Sequence, residues 1–290
     1  MLDELRELWK FRELLLVMVQ RDLKIRYKNS ALGFFWSLLN PIITVIVMTF
    51  VIKNFMYSGA PSISAYILAA YLPFTFFQLS VMDSAQSVLG AMLLIKKIYF
   101  PREILPLASV ISNVIHFALG QLVFFAYLLV VYLVFPGMWP FQIGTLYLPL
   151  LMLITFCLAL GCAFYVSALN TFFEDVKYIV GVLLYLLFFL CPVMYFTEKV
   201  ANSEINRHFM GGGVIYRLLN LNPLTALITA YRKTLLAPPT VDMLGPKGDV
   251  APFLPLNWKY VWLAAAVSVF VLVTGYATFN RLKWKFVERP

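Results

Sequence analysis

The chain has 290 residues, 62% of them hydrophobic and only 13% charged, with a formal net charge of +9. A soluble domain carries nearer a quarter charged residues, so this composition excludes an ordinary soluble fold and predicts a polytopic membrane protein built mostly from one membrane domain. The basic residues lie at the ends of apolar segments and form no stripe, which argues against nucleic-acid binding and for basic loops at a membrane face.

Residues 1–32 read as a cytoplasmic amphipathic element. The first twelve, MLDELRELWKFR, mix acids and bases, so no secretory signal peptide is expected. Leu2, Leu5, Leu8 and Trp9, then Leu14, Leu15, Met18 and Val19, recur at roughly helical spacing with charges between them. Such a helix is expected to lie in the membrane surface and to break near Gly33. The basic residues Arg21, Lys24, Arg26 and Lys28 then precede Asn29 to Ile52, 24 residues with no ionisable side chain. That length suffices for a helix rising about 1.5 Å per residue to cross about 30 Å of hydrocarbon.

The membrane domain, 33–290, is expected to hold six spans, at about 34–55, 64–90, 105–135, 146–169, 178–196 and 260–280. Pro41 should kink the first span or mark its true start. Asp83 lies toward the inner end of the second, and must face protein, water or the cytoplasmic interface, because a carboxylate in lipid is costly. The 70 residues from Ile104 to Phe173 hold no acid, Lys or Arg, too long a run for one span, and Pro136 to Pro140 divides it. Between 197 and 258 the chain is more polar. Arg217, Arg232 and Lys233 make a further crossing there improbable, and the reading is two short helices broken at Asn222–Pro223, interfacial or re-entrant. Fifteen of the Lys and Arg residues fall on the side of the termini and none in the two short opposite loops, which places both termini in the cytoplasm.

Little in the sequence points to catalysis. The two histidines, His116 and His208, join no cluster with metal spacing, and no Gly-x-x-x-x-Gly-Lys-Ser/Thr loop is present to hold a nucleotide phosphate. Glu174–Asp175 reads as a solvated turn, and Cys157, Cys162 and Cys191 as packing residues within apolar runs. The spans offer only Asp83 and His116 as carriers of charge, so if the chain moves a cargo the energy is expected from another protein. The 96–103 loop has the makings of a docking handle. Ile98, Tyr99 and Phe100 provide an apolar plug, Lys96, Lys97, Arg102 and Glu103 a charged rim, and Pro101 a fixed turn. Aromatic residues are abundant, at 17%. Tyr57, Tyr66, Tyr71, Tyr185 and Tyr195 stand out, because their hydroxyls need partners or water within lipid, and aromatic rings suit the apolar faces of sugars.

Three stretches resemble one family. QRDLKIRYKNSALGFFWSLLNP at 20–41, KKIYFPREILP at 96–106 and LNPLTALITAYRKTLL at 221–236 are similar to motifs in the membrane subunits of ABC-2 type polysaccharide transporters. FFEDVKYIV at 172–180 resembles the family's inner turn, with Glu174 standing where the family pattern has Arg. The resemblance implies a homodimer in the bacterial inner membrane, bound to two ABC ATPase subunits that carry ATP and Mg, with no cofactor on this chain. It implies that 96–103 couples to the ATPase, that Arg21, Asp22, Arg26 and Tyr27 lie at the cytoplasmic entrance, and that Asn222, Pro223 and Arg232 lie at the outer mouth. Candidate channel aromatics are Phe34, Phe35, Trp36 and Phe74 with the five tyrosines above. The implied cargo is a lipid-linked polysaccharide, O antigen before teichoic acid or capsule. A drug or lipid ABC-2 exporter, a membrane enzyme using Asp83, Glu174 or Asp175 on lipid-linked sugars, and an ATP-independent channel remain as alternatives.

Overall fold

The computed structural model describes residues 2–27, 35–55, 63–134, 142–203, 213–236 and 254–288, and all regular structure among them is helical. Two helices at the N-terminus, α1 (Leu2–Lys10) and α2 (Arg12–Tyr27), are joined at Phe11. Met18 and Val19 of α2 are buried, while Leu16, Val17 and Ile25 are exposed. The helix therefore seats one edge against α6 (Ile104–Val134) and leaves apolar side chains uncovered.

The interior is built by four long helices. These are α4 (Ile63–Gly90), α6, α7 (Leu148–Phe172) and α12 (Trp258–Leu282). Together with the short segments that continue them, they give the stretches long and apolar enough to cross a membrane, Ile63–Lys97, Ile104–Leu133, Ile143–Phe172 and Trp258–Phe286. The chain is a multi-pass membrane protein on this ground. Two further helices are shorter in their apolar part: α3 (Phe35–Phe55), apolar over Leu39–Ile52, and α8 (Val176–Leu190). At about 1.5 Å per residue, the 15 residues of α8 reach only about 22 Å, short of a hydrocarbon core.

Small residues set the packing. In lipid, helices gain nothing from apolar burial against each other, so close approach and dispersion contacts decide which faces meet. Ala65, Ala69, Ala70, Ser80, Ser84 and Ala85 of α4 are all buried, and α6 and α7 close over them. Tightest is the seam between α7 and α12. A methyl group on Gly161 would come within 2.6 Å of the Leu272 nitrogen, and one on Gly275 would strike the Gly161 carbonyl oxygen. Leu122, Leu129, Leu153, Val269 and Phe270 point away from the bundle, as lipid-facing side chains should.

The expected fifth span, 178–196, stops early. Helix α8 ends at Leu190 because Cys191 precedes Pro192, and a residue before proline is pushed out of the helical region. Cys191 is extended, with φ −77° and ψ 144°. Residues 191–196 instead form a tucked turn leading to α9 (Thr197–Asn202). Pro41, in contrast, lies inside α3, which starts at Phe35 and runs through it.

The break expected at Asn222–Pro223 is present between α10 (Val214–Leu221) and α11 (Pro223–Leu235). The Asn222 side chain accepts a 3.0 Å hydrogen bond from the Leu224 amide, and Pro223 occupies the first helical position, where its missing N–H costs nothing. All of α11 except Pro223 and Lys233 is buried, against α4, α7 and α12. It closes the end of the bundle where α4, α7 and α12 begin. Helix α5 (Met92–Lys97) marks the other end, where α4 finishes and α6 starts.

Candidate functional site

At the α5 end, the loop expected to dock a partner is divided by its burial. Lys96 and Lys97 form the last turn of α5, Ile98 is extended, and Tyr99 and Phe100 follow outside any helix. Ile98 and Tyr99 are exposed, Tyr99 by 71%, and Leu93 stands beside them at 78%. Phe100, in contrast, is buried, so it anchors the loop and takes no part in a docking plug. Glu103 likewise points inward: it is 1% exposed and forms a 2.6 Å ion pair with Lys283, the residue that follows α12. Arg102 lies over the exposed Trp284 ring at 5.8 Å. Partial burial lowers its pKa, against the opposing pull of Glu103. The Tyr99 hydroxyl donates to Glu7 Oε1 at 3.3 Å, which brings α1 to the same end. Trp9, Leu93, Ile98, Tyr99 and Trp284 thus leave that end with exposed apolar side chains among Lys96, Lys97 and Arg102.

Near this end lie the residues expected at the entrance. Arg26 Nη2 meets Asp83 Oδ2 at 2.6 Å and Arg26 Nη1 donates to Asn113 Oδ1 at 3.0 Å. Asn113 in turn donates to Asp83 Oδ2 at 2.9 Å. The carboxylate of α4 therefore has its protein partners on α2 and α6, as its cost in lipid demands. Arg21 pairs with its neighbour Asp22, at 2.9 Å and half-exposed, an arrangement worth little. The side chain of Tyr27 lies outside the described residues. Asn170, buried near the end of α7, donates to the Ala85 carbonyl at 2.8 Å and accepts from the Lys177 amide at 3.0 Å. It fixes the turn that exposes Glu174 and Asp175 to solvent.

The opposite end is centred on Arg232. Its guanidinium donates to three backbone carbonyls, Tyr66 at 3.0 Å, Tyr195 at 2.8 Å and Val193 at 2.6 Å. The last two belong to the turn that Pro192 forces out of α8, so a break in one helix supplies the acceptors for a cation on another. Phe196 lies 5.9 Å from the guanidinium and 5.1 Å from the Tyr66 ring. Next to this node, Lys233 pairs with Glu198 at 2.9 Å and donates to the Leu254 carbonyl. Burial lowers the Arg232 pKa to about 10, with Glu198 opposing, and the group stays charged at neutral pH. Cys191 accepts a hydrogen bond from Thr225 at 3.5 Å.

The candidate channel aromatics divide in the same way. Phe74 is buried against Phe188, with ring centroids 5.2 Å apart, Tyr66 is packed as described, and Tyr71 meets Phe188 edge-on at 6.4 Å. These three pack within one chain. Tyr185 is exposed beside Phe189, on an outward face of α8 that also carries Tyr178, Val182 and Leu186. Tyr195 is half-buried, its hydroxyl donating to the Leu190 carbonyl at 2.5 Å. Phe34 and Tyr57, and the side chains of Phe35 and Trp36, lie outside the described residues. Among the described residues no group of His, Cys, Asp and Glu is placed to hold a metal ion.

Among the described residues, the long apolar helices of this multi-pass membrane protein thus have one enclosed polar end and one end with exposed apolar side chains among basic ones. Residues 13–236 match the ABC-2 type transporter family, and the chain belongs to it. Its relatives include the O-antigen export system permease protein RfbA of Myxococcus xanthus, 30% identical over 99% of both chains. The RfbA permease of Klebsiella pneumoniae is 27% identical, over 95% of this chain and 94% of its own.

Proposed function

We propose that this chain is the transmembrane permease subunit of an ATP-driven exporter that moves lipid-linked O-antigen polysaccharide across the bacterial cytoplasmic membrane. The observation that carries this reading is the near-complete alignment with O-antigen export permeases, joined to an end of the bundle whose apolar side chains are exposed among the described residues. ATP and Mg bind the partner ATPase, and this chain catalyses no reaction. Two copies of the permease sit with two ATPase subunits.

In this reading α3 and α8, the latter carried on by residues 191–196, complete six crossings and both termini are cytoplasmic. Support for a common side comes from the contacts of α1 and of the segment after α12 with the same 98–103 loop. The loop takes the thrust of the ATPase through Ile98 and Tyr99. Arg26 and Asp83 stand at the entrance, α11 closes the outer mouth, and the ring-bearing face of α8 around Tyr185 gives the sugar chain a surface on which to slide.

Copurification tests the assignment. The tagged chain, extracted in mild detergent from cells that export the polysaccharide, brings down a soluble ABC ATPase in equal molar amount. A chain that purifies alone from cells in which export continues overturns it.

A further inference from the structure

One contact lies outside the coupling reading. Glu103 and Lys283 are 180 residues apart in sequence, yet Nζ and Oε1 are 2.6 Å apart and the two side chains are 2% and 13% exposed. Lys283 opens a 3₁₀ segment, Lys283–Glu288, that does not hang free of the bundle. Phe286 is fully buried between Phe279 of α12 and Phe172 of α7, at 5.4 and 5.7 Å between ring centroids. Trp284 covers the pair from outside, with the Arg102 guanidinium 5.8 Å and the Lys283 ammonium 5.4 Å from its ring. A buried ion pair adds little net stability over apolar residues of the same size, but it fixes one register between the segments it joins.

We propose that Lys283 and Glu103 form a permanent clasp that ties the end of α12 to the 96–103 loop, so that a push on the loop moves α12 and α7 together with α4 and α6. The inference rests on the reading of that loop as the ATPase handle. Without the clasp the loop still meets α1 through Tyr99 and Glu7 and lays Arg102 over the Trp284 ring, but no ion pair ties it to the end of α12. With it, the thrust reaches α12, and through the Gly161–Gly275 seam, where the two backbones approach closely, it reaches α7. Lys283 is a positioning residue in this scheme: it touches no cargo.

The test uses the full permease–ATPase complex and reads polysaccharide exported per ATP hydrolysed. Lys283→Glu and Glu103→Lys, each alone, hydrolyse ATP within about twofold of the parent but lose about tenfold in export per ATP, a barrier change of about 1.4 kcal/mol. The double swap restores the ratio. Single variants with an unchanged ratio, or a double swap that assembles and hydrolyses but stays uncoupled, overturn the clasp. If the single variants do not fold, the apolar double Lys283→Met with Glu103→Met supplies the reading: it melts like the parent and remains uncoupled, and full coupling there overturns the proposal. Permanence has its own assay. Cysteines at 102 and 284, joined by a short bifunctional reagent, leave export as fast as in the unjoined form, and arrest on joining refutes a clasp that never opens. Tyr99→Ser runs beside these as control. If it too stays fully coupled, the handle reading has failed, whereas uncoupling by Tyr99→Ser alone removes the clasp and leaves the handle.

Discussion

The two ends of the bundle are both rich in charge and aromatic rings, yet they are finished differently. Around Arg232 the guanidinium has a carbonyl for each of its three nitrogens, the neighbouring Lys233 has a carboxylate, and all of it is enclosed by this chain. Around the 96–103 loop only the inner half is enclosed. Phe100 and Glu103 turn in, while Leu93, Ile98, Tyr99 and Trp284 turn out among lysines and arginines. Among the described residues the first end is enclosed and the second leaves apolar side chains exposed. In the proposed reading the enclosed end is the outer mouth, and the open end is where the ATPase applies its force.

The largest effect is expected at the enclosed end. Arg232→Met leaves the Tyr66, Val193 and Tyr195 carbonyls and the Glu198 charge without their cation, and breaking a buried charged site of this kind costs about 3–5 kcal/mol. Thermal melting of the detergent-solubilised protein should drop accordingly. Arg232→Lys should recover only part of it, since one ammonium cannot reproduce a planar fork spread over three acceptors. A mild phenotype for Arg232→Met would mean that the node is not what holds the outer helices.

At the open end neighbouring residues should behave oppositely. Phe100→Ser empties a buried site and should cost about 3 kcal/mol of stability. Tyr99→Ser changes an exposed side chain and should leave melting unchanged, while export per ATP falls about tenfold. Equal melting of the two variants would erase the division of the loop into anchor and plug. Smaller still, Asn222→Ala removes the cap of α11 and should cost about 1 kcal/mol. Arg26→Gln breaks a pair that is partly exposed on both sides, and melting should move by less than about 1 kcal/mol.

Much of this was legible in the residues. The Asn-Pro pair at 222–223 carries its own instruction, a side-chain acceptor followed by a residue made for the first helical turn, and the break falls there. Asp83 read as a carboxylate in need of protein partners, and it has them. That those partners are Arg26 and Asn113 was not legible, because they come from helices 57 and 30 residues away and no local spacing encodes that meeting. The end of α8 was misplaced because 191–196 is apolar, and hydropathy alone carries the span to Phe196. The signal that corrects it is Pro192, whose effect is on backbone conformation and not on polarity. Lys283 was hidden for a different reason. In a basic tail every lysine has the same local surroundings, and only the fold separates the one that meets Glu103 from those that meet water.

The account stands most directly on energy supply. Permease and ATPase, reconstituted together in liposomes with lipid-linked polysaccharide, should translocate the chain only when ATP is present. The Tyr99→Ser permease in the same vesicles should let ATP be hydrolysed with little translocation. Uphill movement of the polysaccharide by the permease alone, with no second protein in the membrane, would contradict it.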